Sequence, residues 1–206
     1  MKHAALGFRM HSGWGVLVAI SAHVDSVEVI ARRRLVTADP QLPGAKQPYH
    51  YAASLRLPEA EEYLTKCAAV SESLACVAIG DVVQELEGHD YQLLGSAVLL
   101  AAGRPLPSLA KIIAAHSLIH TAEGEFFRNA VRKACERLKI SVTTIREREL
   151  DEQVKKVLGD DAARVQQRIA SLGLVIGPPW TKDYKLATLA AALIVGGKGT
   201  VNANST

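Results

Sequence analysis

A chain of 206 residues, 49% of them hydrophobic, can bury a full core, and one large domain suits it better than two small ones. Its formal net charge of +3 excludes a global basic field as the mark of a nucleic-acid protein, so any anion site has to be local. No run reaches the roughly 18 uninterrupted apolar residues of a membrane span, and the opening MKHAALGFRMHSGWG has no long apolar run after Lys2, so a soluble protein without a membrane partner is expected. Cys67, Cys76 and Cys135 lack metal-type spacing and read as reduced core thiols, which favours the cytoplasm.

Ala4 to Met10 and Trp14 to Ser21 are apolar, β-prone runs separated by His11, Ser12 and Gly13, the pattern of a hairpin. A third run, Val27 to Thr37, alternates apolar positions with Glu28 and Arg32 to Arg34, so an antiparallel meander with one wet face is expected. On that reading the arginine cluster is a solvated strand face, the other reading being a phosphate patch. Asp39 to Pro58 is a long, proline-rich loop with Tyr49, His50 and Tyr51 in its middle. Such loops are often binding loops, and His50 could reach a cleft. Alternatively the aromatic side chains pin the loop to the core.

Pro58 opens a helix whose first turn holds Glu59, Glu61 and Glu62 and whose apolar positions run to Leu86, with Gly88 as its stop. Leu93 to Ala102 reads as a strand covered on both faces and broken by Gly103-Arg104-Pro105. Residues 108 to 149, SLAKIIAAHSLIHTAEGEFFRNAVRKACERLKISVTTIRERE, are expected to form one long amphipathic helix and then a strand at Ser141 to Glu147, giving a parallel crossover. Leu150 to Leu172 is a surface helix or helix pair interrupted near Gly159. After the rigid Gly177-Pro178-Pro179-Trp180 joint, Thr181 caps a final helix from Lys182 to Val195. The expected organisation is one domain over residues 1–195 and a disordered tail over 196–206.

Around the long helix, His116, His120 and Glu123 are spaced i, i+4 and i+7, within about 60° of one face, among apolar positions such as Ile112, Phe127 and Val131. Burying such groups is costly unless they are paired or bound to an ion. Two imidazoles and a carboxylate suit Zn or Mn, and three protein ligands with an open position would be catalytic. Alternatively the histidines pair with Glu123 or with backbone groups. Gly124 in mid-helix costs about 1 kcal/mol against alanine, which makes sense if another backbone packs there. Arg128 lies on a different face and can serve an outer pair. Arg146, Glu147, Arg148 and Glu149 end the last strand, at the edge where ligands bind in open α/β sheets, so either one of them lines that edge or the run is a solvated strand end with surface ion pairs. Asp183 sits in the first turn of the closing helix, where it either complements the dipole or joins the site.

Three antiparallel strands, a helix, a strand, a helix, a strand and a closing helix resemble the ribonuclease-H-like fold, shared in outline by the actin-like ATPases, an α/β architecture with a five-stranded mixed sheet and helices on both faces. The glycine-rich phosphate loop with a following acidic residue that the actin-like resemblance implies is absent from the sequence. The start resembles the RuvC-type resolvase branch, with Leu6-Gly7-Phe8 on the first strand and Gly13-Trp14-Gly15-Val16 opening the second. The resemblance implies a two-metal centre held by a first-strand aspartate, a glutamate ending the fourth strand and acids on the last helix. This chain has Arg9 at the first place, Ala101-Ala102-Gly103-Arg104 at the second, and Asp183 alone in a matching place. Without its bridging carboxylate such a mechanism fails. Two functions remain. One is a non-catalytic binding or scaffold protein. The other is a metal-dependent hydrolase acting on a phosphoester or nucleic acid through His116, His120 and Glu123, with His120, Glu123 and Asp183 as catalytic groups and Arg9, His50, Arg128 and Arg148 binding the ligand. Nucleic acid, a phosphorylated ligand and a second copy paired through the hairpin edge are the partners these readings imply.

Overall fold

Gly13, at φ +77°, completes a two-residue turn with Ser12 that folds strand β1 (Lys2–His11) onto antiparallel β2 (Trp14–His23). β3 (Ser26–Val36) pairs antiparallel with β2, while β4 (Tyr91–Leu100) runs parallel to β1, and β5 (Val142–Arg146) parallel to β4. The computed structural model describes residues 2–23, 26–101 and 105–203. The sheet order is β3-β2-β1-β4-β5, a mixed five-stranded sheet of the expected kind. Its edges are β3 and β5, so the hairpin of β1 and β2 is interior and cannot offer the edge for pairing with a second copy.

Alternation along β1 sorts its side chains between two cores. Ala4, Leu6, Phe8 and Met10 face a layer formed by α2 (Leu57–Gly88) and α4 (His116–Arg137), with Ile79, Val82, Phe127 and Val131 in contact. Ala5 faces the other layer, where α8 (Lys182–Ala203) lies across β1, β2 and β4 and is backed by α5 (Leu150–Leu158) and α6 (Ala162–Ser171). The wet face is therefore confined to β3, because β2 is covered on both sides. α2 is long and apolar enough, by length and composition alone, to cross a membrane, yet Ala75, Ile79, Val82 and Leu86 along it are built into the core.

Several local expectations change. The stretch from 108 is two helices, α3 (Leu109–Ile113) and α4, separated where Ala115 is extended at φ −135° and ψ 110°. The break falls at alanine, the best helix former, so tertiary packing outweighs propensity there. Ile112 and Ile119 then close a small core with Ala122 and Tyr49. The long loop holds α1 (Pro48–Ala52) and is pinned by Tyr63, which donates to the Pro43 carbonyl at 2.7 Å, and by the Tyr51–Tyr63 ring contact.

Arg33 and Arg34 of β3 are exposed, as a solvated strand face requires, but all three arginines also have partners. Arg32 donates to the carbonyls of Ile176, Gly177, Pro178 and Pro179, Arg33 pairs with Glu85 at 2.6 Å, and Arg34 lies over the Trp14 ring. Trp180 anchors the same joint by donating to the Ile169 carbonyl at 2.8 Å, between the short α7 (Gly173–Ile176) and α8. The closing helix continues past Val195 to Ala203. Residues 102–104, in the expected strand break, and 204–206, in the expected tail, lie outside the described residues.

Gly7 is where α8 meets the sheet. A Cβ there would lie 1.9 Å from the Ala187 carbonyl oxygen, a backbone atom that moves only if the helix moves. Gly7→Ala is expected to lower the unfolding free energy by about 1–3 kcal/mol. Gly80→Ala, whose Cβ would meet nothing within 4 Å, should instead raise it by about 0.5–1 kcal/mol. Urea unfolding of both variants measures the contrast.

Candidate functional site

The Gly7–Ala187 contact sets the register of a charged cluster at the carboxyl end of β1. Two residues along a strand advance about 6.7 Å and four along a helix about 6 Å, so Arg9 on β1 comes level with Asp183 on the oppositely running α8. The Arg9 guanidinium pairs with Asp183, and it also meets both carboxylate oxygens of Glu147, at 3.0 and 3.1 Å. Glu147 opens a 3-10 turn, Glu147–Glu149, just after β5. Three residues per turn bring Arg146 against Glu149 at 3.1 Å, leaving Glu147 turned to Arg9. Burial opposes the charge on Arg9, but the two carboxylates outweigh it and hold its pKa above the ordinary arginine value. His11 stands 3.1 Å from Asp183 and stacks on Trp14 with ring centroids 4.5 Å apart. Arg128 donates to the Leu99 carbonyl at 3.1 Å, and burial pulls its guanidinium below the usual range. Its Nη1 is also what a Cβ on Gly124 would meet, at 2.8 Å, so a side chain and not a second backbone accounts for that glycine.

A second cluster lies at the start of α4. His116 and His120 bring their Nε2 atoms to 2.9 Å. His50, from α1, packs edge-on against both rings, and one nitrogen from each of the three lies within 4.8 Å of the others. Glu123, only 1% exposed, sits behind His50. Its Oε1 accepts the backbone N–H groups of Tyr49 and His50, both at 3.1 Å. Gln47 at the N-cap makes no side-chain capping bond and Pro48 has no N–H, so Glu123 satisfies the first turn of α1 from another helix. His50 Nδ1 stands 3.0 Å from the same oxygen without hydrogen-bond alignment, and Oε2 makes no hydrogen bond among the described residues. Burial, followed by the charge of Glu123, raises the Tyr49 phenol above its ordinary value.

The expected trio of His116, His120 and Glu123 is thus rearranged. The two histidines converge, but His50 takes the third place and Glu123 stands behind it as a cap. Tyr49 and Tyr51 pin the loop, as one reading of it expects, and His50 packs against the histidine pair. Asp183, expected with His120 and Glu123, instead pairs with Arg9 in the other cluster. Arg148 joins neither cluster, being 71% exposed and 3.6 Å from Glu149. Glu147 is the residue of the 146–149 run that lines the edge, and only the 3-10 turn selects it. His11 was not singled out in the sequence. Its position two residues after Arg9, on the same strand face, is the signal that could have found it.

The sequence matches no family model and no curated protein. Solved structures are similar in fold. The RuvC of Thermus thermophilus in complex with a Holliday junction substrate superposes with a TM-score of 0.54 at 11% identity, covering 99% of this chain and 98% of that one. A second structure of Thermus thermophilus RuvC gives 0.53 at 13% identity, covering 97% and 96%. The carboxylate-held metal pair implied by that resemblance does not fit the residues present. Arg9 brings a fixed positive charge to the first-strand place, and Glu147 and Asp183 already pair with it.

Two stability measurements follow from this geometry. Arg9→Met and Asp183→Asn in a double-mutant cycle should show a coupling of about 0.5–3 kcal/mol. Glu123→Ala should cost about 1–3 kcal/mol by leaving two amides of α1 without their acceptor, and hydrogen exchange at Tyr49 and His50 should quicken. A cycle with no coupling would mean that the Arg9–Asp183 pair is too solvated to matter.

Proposed function

On a chain with the ribonuclease-H-like fold of RuvC, we propose a nucleic-acid-binding protein that does not cleave through the acidic centre of that fold. The observation that carries this reading is the Arg9 guanidinium clamped between Glu147 and Asp183 at the carboxyl end of the strands. Charge that would draw a metal pair is neutralised within the protein. The same rim offers groups suited to a polyanion and to bases. Arg34 lies 3.8 Å over the Trp14 ring, His11 stacks on that ring, and Arg148 is exposed one residue from the clamp. Branched DNA is the first ligand to try, since one of the similar structures holds a Holliday junction.

A second reading, a metal-dependent phosphoester hydrolase, is favoured by the convergence of His50, His116 and His120. The two readings separate in one experiment. The full chain is titrated against four-way junction, fork and plain duplex DNA by fluorescence anisotropy, and the same DNAs are incubated with Mg, Mn or Zn ions. The binding reading expects salt-dependent affinity, no cleavage, and an Arg148→Ala variant whose salt slope falls by about 1. Cleavage abolished by Asp183→Asn would overturn it. Cleavage that survives Asp183→Asn and disappears with His120→Ala would establish the second reading, and affinity for none of the DNAs would remove the first.

A further inference from the structure

The histidine cluster carries an inference independent of what the Arg9 rim binds. We propose that His50, His116 and His120 bind one divalent transition-metal ion of the zinc type, with Glu123 as the partner behind His50 and a fourth coordination position open to solvent.

The donor set comes first. Three imidazoles and no oxygen donor suit Zn and its neighbours, whereas Mg and Ca require oxygen ligands. Geometry is the second support. A tetrahedral ion at about 2.0–2.1 Å from each nitrogen holds its ligand atoms about 3.3 Å apart. The His116 and His120 Nε2 atoms are at 2.9 Å, and all three ligand nitrogens fall within 4.8 Å, so small ring rotations suffice. Both helix histidines aim the same nitrogen at one point, which a chelate uses directly. Left alone, the pair shares a single proton between two acceptors, and His50 gains no hydrogen bond from either.

The third support is Glu123. Metal-bound histidines commonly present their other ring nitrogen to a carboxylate, and His50 Nδ1 stands 3.0 Å from Glu123 Oε1. That carboxylate is buried, its Oε1 already accepts two backbone amides of α1, and its Oε2 makes no hydrogen bond among the described residues, so it has acceptor capacity left for the Nδ1–H of a metal-bound His50. His116 and His120 are exposed and His50 is half-buried, so the ion has a path in and a solvent-facing position. Because His50 belongs to α1 and the others to α4, the ion would also tie the 39–56 segment to the crossover helix.

The test is a titration of the chelator-stripped full-length protein with Zn ions alone, in competition with a colorimetric chelator, with no nucleic acid present. We expect one equivalent of Zn, none of Mg, and a visible spectrum of tetrahedral type with Co. His116→Ala and His120→Ala change exposed positions and should fold. Each should lose more affinity than Glu123→Gln, for which a loss of about 10–100-fold is expected, while Asp183→Asn should bind as the wild type does. His50→Ala, checked for folding by circular dichroism, should lose the site as well. Folded wild-type protein that takes up no stoichiometric Zn would overturn the proposal. So would a folded His50→Ala that keeps wild-type affinity, since Glu123 would then be the third ligand. Failure here leaves the DNA-binding reading untouched, because the two measurements share no component.

Discussion

The close approach of α8 to Gly7 is the constraint on which the rest depends. With no side chain at Gly7, the Ala187 carbonyl lies almost against β1, and the Ala191 Cβ would be only 3.1 Å from a Cβ there. Helix and strand are thereby held in one register, and polar groups further along both must meet. Arg9 and Asp183 are those groups, two residues beyond Gly7 on the strand and four before Ala187 on the helix. A close backbone approach deep in the core thus sets the electrostatics of the rim.

At the rim, opposite charges are paired within the protein. A guanidinium between two carboxylates makes charge-assisted, directional hydrogen bonds that require no bound ion. The pair with Glu147 is bidentate, which fixes the plane of the guanidinium as well as its charge. Trp14 extends the network outward, with His11 stacked on it and Arg34 over its ring, so β1, β2, β3, the turn after β5 and α8 all contribute to one edge. That edge is polar and partly exposed, and its guanidinium is paired with two carboxylates.

The histidine cluster is organised by a different device. Glu123 caps the first turn of α1 from α4, and that cap is what brings His50 to His116 and His120. A buried carboxylate paired only with backbone amides would be a structural detail. Here it also stands beside His50, whose ring packs against the two imidazoles of α4. Both clusters touch α4, since Arg128, two turns beyond His120, reaches the end of β4 through the Leu99 carbonyl.

Periodicity in the sequence determined the strands, the long helix from Pro58 and the closing helix, because each depends on local alternation between core and solvent, while the mixed five-stranded sheet followed from the resemblance in element order. The i, i+4 spacing likewise placed His116 and His120 side by side, as contacts within one helix need no tertiary information. Tertiary structure alone decided the rest. The helix broke at Ala115 although alanine favours continuation. The arginines of β3 were taken up by the 176–179 carbonyls and by Glu85, partners distant in the chain. Glu147 was chosen over Arg148 by a 3-10 turn, and His50 displaced Glu123 from the histidine cluster because an unsatisfied helix start required an acceptor. In each case the deciding partner comes from another element, and no local pattern encodes which distant group will supply it.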